Sequence, residues 1–140
     1  MTSYVVDASL VATAFLKEAG VEKAQAILDG AQALLVPALI FAELTNIAWK
    51  RAFRGDLSPQ EAHQLIADSL SLPFKVTPSS ELADHAVQLA LQYGRSVYDC
   101  LYLALAVRTN SILVTADKRL VNALANTALA AHVTSLDKLP

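Results

Sequence analysis

The chain has 140 residues, a length typical of one domain, and we expect residues 1–140 to form a single domain. Hydrophobic residues make up 54% of the chain and charged residues only 17%, a composition that excludes intrinsic disorder. The net charge of −2 at pH 7 argues against the strong basic field that drives nonspecific, salt-dependent binding to nucleic acid.

The apolar segments predict no passage through a membrane. The longest apolar run, Ala33–Ala42, has about half the length of a membrane span, contains Pro37 and stops at Glu43. The first residues lack a basic start and carry Asp7 inside an apolar stretch, so we expect no signal peptide. With Cys100 as its only cysteine, the chain has neither a disulfide framework nor a thiolate zinc site. We therefore expect a cytoplasmic protein with no membrane partner.

Short apolar runs alternate with helical patterns along the chain. Ala33–Val36 is an unbroken apolar run before Pro37, which is typical of a buried parallel strand. The segment Ser58–Glu61 has the residues of a helix N-cap with a capping box. We predict strands at Tyr4–Val6, Ala33–Val36, Phe74–Val76, Ile112–Thr115 and His132–Thr134. The predicted helices are Ala8–Lys17, Val21–Leu28 with a stop at Asp29-Gly30, Ala38–Arg54, Ser58 to about Ser71, a helix capped by Ser79 or Ser80 that runs to about Tyr93, Ser96–Val107 and Asp117–Asn126.

This alternation predicts a parallel sheet with helices on both faces. The expected fold is α/β, a three-layer α/β/α sandwich with a short-stranded, mostly parallel central sheet. Residues from about 38 to 71 form a helical excursion from the alternation. The helix from Ser96 is unusually apolar along Cys100–Val107, so we expect it to be buried on most sides.

Four of the 13 acidic residues lie in apolar surroundings: Asp7, Glu43, Asp99 and Asp117. Asp7 directly follows a predicted strand and Asp117 follows another after Ala116, and ligands of parallel sheets bind outside the carboxyl ends of the strands. Glu43 lies in the first turns of a helix that follows a strand, and Asp99 opens an apolar helix, so all four can meet at that edge. Each Asp alone is also explained as a helix N-cap. Glu43 is not, because it interrupts the apolar residues of a helix that we expect to be half-buried, where an unpaired carboxylate is costly. No Lys or Arg lies three or four residues away, so its partner must come from elsewhere.

Four converging carboxylates would repel one another without a counter-ion. Oxygen ligands favour Mg²⁺ or Mn²⁺, and no Cys/His cluster offers a zinc site. Two such ions, about 3.5–4 Å apart, can activate a water and stabilise the leaving oxygen of a phosphodiester. Ser9, Asn46 and Thr115 lie near the acids in sequence, and we expect these small polar residues to lie around the acids and hold them in position.

Four fragments, in this order, resemble a PIN domain of the VapC toxin type. They are VVDAS around Asp7, FAELTN around Glu43, SVYDCLYLALA from Ser96 and LVTAD ending at Asp117. The resemblance implies a Mg²⁺- or Mn²⁺-dependent endoribonuclease. The catalytic and metal-binding residues it implies are Asp7, Glu43, Asp99 and Asp117, and those that hold the acids, metal-bound water or substrate phosphate are Ser9, Asn46, Thr115 and Ser96.

On this resemblance, the chain cleaves single-stranded or loop RNA with a metal-activated water, as the toxin of a toxin–antitoxin pair. The resemblance also implies a cognate antitoxin that covers the acidic pocket, and a homodimer formed through helices. One alternative is a noncatalytic RNA-binding or scaffold protein with the same fold. Another is a Mg²⁺-dependent phosphatase or receiver-like domain, although Ala8 and Ser9 follow Asp7, so the D-x-D motif of the phosphatases is missing.

Basic residues occur both near the acids and in one helix. Lys50, Arg51 and Arg54 lie near the end of a predicted helix, where a favourable position at the helix C-terminus explains them slightly better than contact with RNA. The candidate phosphate ligands that flank acids are Arg95, Lys118 and Arg119.

Aromatic residues are expected to fill the core or interfaces rather than to stack on bases. We expect Cys100 to be a small buried hydrophobic residue. The three histidines have no spacing typical of a ligand or a general base. The aromatic residues in question are Phe41, Trp49, Phe53 and Tyr102.

Overall fold

One parallel sheet of five strands organises the chain. The computed structural model describes residues 2–139. The strands are β1 (Ser3–Val6), β2 (Ala33–Pro37), β3 (Phe74–Thr77), β4 (Ile112–Thr115) and β5 (Val133–Ser135). Their order across the sheet is β3-β2-β1-β4-β5, and each neighbouring pair is parallel.

Helices flank this sheet, as predicted for an α/β/α sandwich. They are α1 (Ala8–Phe15), α2 (Val21–Gly30), α3 (Leu39–Phe53), α4 (Pro59–Leu70), α5 (Ser79–Tyr93), α6 (Val97–Arg108) and α7 (Lys118–Leu124). Two short 3₁₀ helices, Ala128–His132 and Leu136–Lys138, flank β5 and were not predicted. The predicted excursion corresponds to α3 and α4, which pack against each other. The capping box of α4 is present, with bonds of 2.9 and 3.1 Å between Ser58 and Glu61.

Two predicted helix ends were wrong because backbone conformation, not residue type, sets them. Helix α1 ends before the predicted Lys17, since Leu16 is already extended. Helix α2 continues through Gly30, so this glycine does not stop it, and the chain leaves the helix at Ala31.

One predicted cap and two further boundaries also differ from the prediction. Ser79 is already helical and does not cap α5, and its hydroxyl accepts the Leu39 backbone N–H at 3.2 Å. Helix α7 ends at Leu124 rather than Asn126. Strand β5 begins one residue later than predicted, because His132 belongs to the 3₁₀ helix that precedes it.

The strand order changes direction beside β1, and this places the site. The chain runs from β1 outward to β2 and β3, then returns to place β4 on the other side of β1. Helix α6 packs against β1, β2 and β4, and its residues Cys100–Ala106 are all buried, as predicted. A crevice forms at such a reversal, outside the carboxyl ends of β1 and β4. In residues 2–139, no helix has both the length and the apolar character needed to cross a membrane.

Candidate active site

The four acids singled out in the sequence line one cavity of about 240 Å³ at this reversal. Asp7 and Asp117 reach it from the ends of β1 and β4. Glu43 reaches it from the second turn of α3, and Asp99 from the first turn of α6. Residues about 110 positions apart in the chain thus share one small, open space.

Hydrogen bonds hold both carboxylate oxygens of Asp7. The Ser9 hydroxyl donates to Asp7 Oδ1 at 2.7 Å, and the Leu10 backbone N–H donates to the same oxygen at 3.0 Å. The Thr115 hydroxyl donates to Asp7 Oδ2. Asp7 is therefore both the N-cap of α1 and part of the cavity wall, with its orientation fixed from two elements.

The same two hydroxyls also hold the backbone that follows β4. Ser9 Oγ accepts the Ala116 N–H at 3.2 Å, and Thr115 Oγ1 accepts the Asp117 N–H at 3.0 Å. Asp117 in turn caps α7, because its Oδ1 accepts the Arg119 N–H at 3.0 Å. The positions of Asp7 and Asp117 are thus coupled through two shared hydroxyl groups.

Glu43 has the distant partner that its sequence surroundings require. The Tyr102 hydroxyl donates to Glu43 Oε1 at 2.5 Å, across 59 positions of the chain. Tyr102 is 3% exposed and lies on α6, one turn after Asp99. Helix α6 therefore supplies one acid to the cavity and orients another.

Asp99 is held from the turn before α6. Ser96 is the N-cap of this helix and accepts the Asp99 backbone N–H at 3.1 Å, so Asp99 is not the cap. Arg95 Nη2 lies 3.9 Å from Asp99 Oδ2. In the described part of the chain, the buried Nε of Arg95 has no hydrogen-bond partner.

The acids disfavour one another's charge. Burial is the largest cause that raises the pKa of Asp7, and the Asp99 carboxylate raises it further. Burial also raises the pKa of Glu43, against the Tyr102 hydrogen bond that lowers it, and Asp7 and Asp99 add to the rise. The pKa of Asp99 is raised by burial and by Asp117, although Arg95 opposes the rise. The cavity thus concentrates negative charge that a cation would stabilise.

The donor set fits a hard divalent cation rather than a preformed cage. Across residues 2–139, no three His, Cys, Asp or Glu side chains are arranged to hold a metal ion. The carboxylate oxygens described above face hydroxyl, backbone and guanidinium donors instead. Mg²⁺ usually takes only one or two carboxylates, together with waters and substrate phosphates. An ion of this kind therefore needs only a subset of the four acids.

Comparison with known proteins identifies the family. Residues 4–125, which include all four acids, match the sequence model of the PIN domain. The chain belongs to the PIN domain family. This confirms the resemblance found in the sequence.

Individual relatives agree with this membership. Ribonuclease VapC3 of Pyrobaculum aerophilum is 36% identical over 118 residues, which cover 83% of this PIN domain chain and 90% of the relative. The crystal structure of PAE2754 from Pyrobaculum aerophilum superposes with a TM-score of 0.73 at 26% identity, covering 97% of this chain and 85% of that one. A toxin–antitoxin complex from Klebsiella pneumoniae gives a TM-score of 0.67 at 17% identity, covering 97% and 98%, and supports the fold alone.

The supporting residues expected from the sequence occupy different positions in this PIN domain. Ser9 and Asn46 line the acid cavity, and Asn46 is exposed one turn after Glu43 on α3. Thr115 is fully buried behind Asp7, and its hydroxyl donates a hydrogen bond to the Asp7 carboxylate. Ser96 acts on Asp99 through the helix backbone.

Neither the role of the Tyr102 hydroxyl nor the exposure of two aromatic side chains was predicted from the sequence. Tyr102 is buried as expected, but its hydroxyl serves the site, and its position three residues after Asp99 was the available signal. Phe41 packs edge-on against Phe74, with ring centroids 6.2 Å apart. Trp49 and Phe53, by contrast, are 57% and 76% exposed, so they do not fill the core of this chain, and their place in an interface stays a prediction.

Cys100 is buried, as predicted, and its thiol is not a nucleophile in this cavity. Burial raises the pKa of Cys100 to about 11, and the neighbouring Asp99 charge acts in the same direction. The thiol therefore stays protonated near neutral pH, whereas nucleophilic cysteines act as thiolates.

Proposed function

We propose that this PIN domain is a Mg²⁺- or Mn²⁺-dependent endoribonuclease and the toxin of a toxin–antitoxin pair. The observation that carries the proposal is the meeting of four carboxylates in one cavity at the reversal of strand order. The 36% identical relative named Ribonuclease VapC3 supports the choice of RNA as substrate. In-line attack of water on the phosphorus, with the 3′ oxygen as the leaving group, leaves a 5′-phosphate and a 3′-hydroxyl.

The acids of the cavity and the hydroxyl groups that hold Asp7 each have a role in this proposed reaction. Asp7, Glu43, Asp99 and Asp117 are the set from which the ligands of the divalent ion would be drawn. When bound, the ion supplies positive charge against the phosphate and lowers the pKa of the attacking water. Ser9 and Thr115 keep Asp7 in one orientation.

We propose that Glu43 receives the proton of the attacking water. Tyr102 occupies Glu43 Oε1, which leaves Oε2 to accept a proton. Burial raises the pKa of this carboxyl above its ordinary value of 4.5, which brings its basicity closer to that needed near neutral pH. The Tyr102 hydrogen bond fixes the carboxylate plane during the transfer.

The strand order argues against one alternative function. Receiver-like domains follow the order 2-1-3-4-5, with the site at the β1/β3 reversal. This chain has the order 3-2-1-4-5, with the reversal between β1 and β4. The noncatalytic alternative predicts an intact fold without cleavage, and the experiment below separates it from the proposal.

One of these solved structures supports a protein partner. The Klebsiella pneumoniae structure is a toxin–antitoxin complex, and we infer a cognate antitoxin that covers the acid cavity of this chain. We also propose a homodimer formed through helices. Light scattering of the purified chain, alone and with the product of a neighbouring small reading frame, tests both assemblies.

The cleavage experiment compares two acids of equal charge. Asp99→Asn removes a cavity carboxylate, whereas Asp84→Asn removes an exposed carboxylate from α5. With end-labelled RNA in Mg²⁺ or Mn²⁺, we expect the native chain and Asp84→Asn to cleave, and Asp99→Asn to be inactive while retaining its circular dichroism spectrum. EDTA should stop cleavage, and ligation-based mapping should find 5′-phosphates. Full activity of Asp99→Asn, or undiminished cleavage in EDTA, would contradict the proposal.

A further inference from the structure

A second cavity adjoins the acid cavity along α3. It has a volume of about 420 Å³ and shares Ser9, Ile47 and Asp117 with the acid cavity. Lys50 lines it from the last turn of α3, and Arg54 lines it from the C-cap of the same helix. An extended polymeric ligand bound in this second cavity would therefore continue directly into the space between the four acids.

Two of the three basic side chains that line this cavity, Lys50 and Arg54, are available to a ligand. Arg51 also lines it, but its guanidinium pairs with Glu18 at 3.2 Å. Lys50 and Arg54 are both exposed, and neither makes an ion pair within the described residues 2–139. Their position at the helix C-terminus stabilises α3 but leaves their ammonium and guanidinium groups open to solvent.

An exposed aromatic pair lies beside the two cations. The rings of Trp49 and Phe53 stack with centroids 5.3 Å apart and planes 24° apart. Each aromatic residue directly precedes one of the cations, and both rows have the i, i+4 spacing of one helix face, so the rows run side by side. Single-stranded nucleic acid binds to such combinations, since phosphates meet the cations and every base has a face that stacks on an aromatic ring.

We propose that this α3 strip, formed by Trp49, Lys50, Phe53 and Arg54, binds single-stranded RNA and positions it for the acid cavity. Lys50 and Arg54 contact phosphates, and Trp49 and Phe53 stack on bases. The inference rests on the proposed ribonuclease function and adds to it the path of the substrate strand. A protein partner would also accept exposed aromatic residues, but the shared wall with the acid cavity favours RNA.

Trp49 is the single tryptophan of the chain and reports on the strip directly. The probe is a fluorescein-labelled, mixed-sequence RNA of 12 nucleotides, added to the full chain in EDTA so that no cleavage occurs. We expect saturable quenching of Trp49 emission, with the same midpoint as the anisotropy of the labelled RNA. Because phosphate and stacking contacts tolerate any sequence, the absence of both signals would overturn the proposal.

Charge-matched variants test the cations. For Lys50→Gln/Arg54→Gln, the slope of log K against log salt should become shallower by about 1.4, from roughly 0.7 for each phosphate contact on a single strand. In cleavage assays this variant should show a raised KM with an unchanged kcat. The control, Lys75→Gln/Arg108→Gln, changes the net charge equally at sites outside both cavities and should bind RNA like the native chain.

Truncation of an aromatic residue tests the stacking. Phe53→Ala should weaken RNA binding about fivefold or more, whereas Leu91→Ala, which truncates an 83% exposed side chain on α5, should not. If Phe53→Ala instead converts a dimer into a monomer, and Trp49 emission follows protein concentration but not RNA, the strip is an interface between two copies and the proposal is wrong.

The results separate this inference from the proposed function. Native RNA binding by Lys50→Gln/Arg54→Gln, in a chain whose cleavage is lost in Asp99→Asn, would overturn the inference and keep the function. Binding that depends on the α3 strip without any cleavage would overturn the function and keep only the RNA-binding part of the inference.

Discussion

The Tyr102–Glu43 hydrogen bond should stabilise the fold as well as orient the acid. Tyr102→Phe keeps a ring that is 3% exposed and deletes the hydroxyl that donates to Glu43 at 2.5 Å. A hydrogen bond to a charged group contributes about 1.5–3 kcal/mol to stability, and solvent replaces part of it because Glu43 is only half-buried. We therefore expect a loss of about 1–2 kcal/mol in the free energy of unfolding, measured by urea denaturation at pH 7.5.

A double-mutant cycle isolates the pair from the rest of the cavity. Tyr102→Phe, Glu43→Ala and the double variant should give a coupling energy of about 1 kcal/mol or more. Tyr98→Phe deletes a hydroxyl from a 63% exposed tyrosine on the same helix, and its effect should stay within about 0.5 kcal/mol. A coupling energy below about 0.5 kcal/mol would show that the bond does not stabilise the site in the way the geometry indicates.

The pH dependence gives a second, independent check. Burial raises the pKa of Glu43 and the Tyr102 hydrogen bond lowers it, so the pKa of Glu43 should rise further in Tyr102→Phe. When the pKa of the folded state lies above that of the unfolded state, the native carboxyl takes up its proton first as the pH falls. The loss of stability should thus be full at a pH above the folded-state pKa of Glu43 in Tyr102→Phe. It should shrink as the pH falls through that pKa towards the ordinary value of 4.5. A loss that is the same at pH 7.5 and 4.5 would refute the role of the charged acceptor.

Three further predictions use other contacts of the structure. Mg²⁺ should raise the thermal midpoint, by an amount equivalent to about 2.7 kcal/mol at 100 times its Kd, and Asp99→Asn should reduce this response in calorimetry. Thr115→Val removes a donor to Asp7 and an acceptor for the Asp117 N–H, so we expect a loss of about 1–3 kcal/mol in urea denaturation and reduced cleavage, both restored by Thr115→Ser. Ser58→Ala removes the N-cap of α4 and should cost about 1 kcal/mol without changing cleavage, and a changed cleavage rate would link α4 to the site.

The sheet and the meeting of the acids were predictable because they depend on short-range patterns and one topological rule. Asp7 directly follows an apolar strand, and Asp117 is separated from another by a single alanine. The rule that parallel strands present their carboxyl ends at one edge then brings the two acids together without any knowledge of side-chain contacts. The capping box at Ser58–Glu61 was equally local, and it is present.

Contacts between distant elements could not be derived in this way. The partner of Glu43 lies 59 positions away, and only the packing of α6 beside α3 decides that Tyr102 fills this role. The exposure of Trp49 and Phe53 could not be derived for a different reason. Their residue type favours burial, whereas the position of each residue around the helix decides whether its side chain is buried. The buried row of α3 is Ile40, Leu44 and Ala48, and the two aromatic residues follow this row by one residue, about 100° around the helix.

Asp7 shows that a structural and a chemical role need not be alternatives. Its Oδ1 caps α1 through the Leu10 N–H, which alone would explain an aspartate at the end of a strand. The same carboxylate lines the acid cavity, and its pKa is raised by burial and by the Asp99 charge, which capping does not require. Asn is about as good an N-cap as Asp, so Asp7→Asn preserves the helix start while it removes the charge. A folded but inactive Asp7→Asn variant would therefore assign the lost activity to the charge of Asp7, whereas retained activity would reduce this residue to a helix cap.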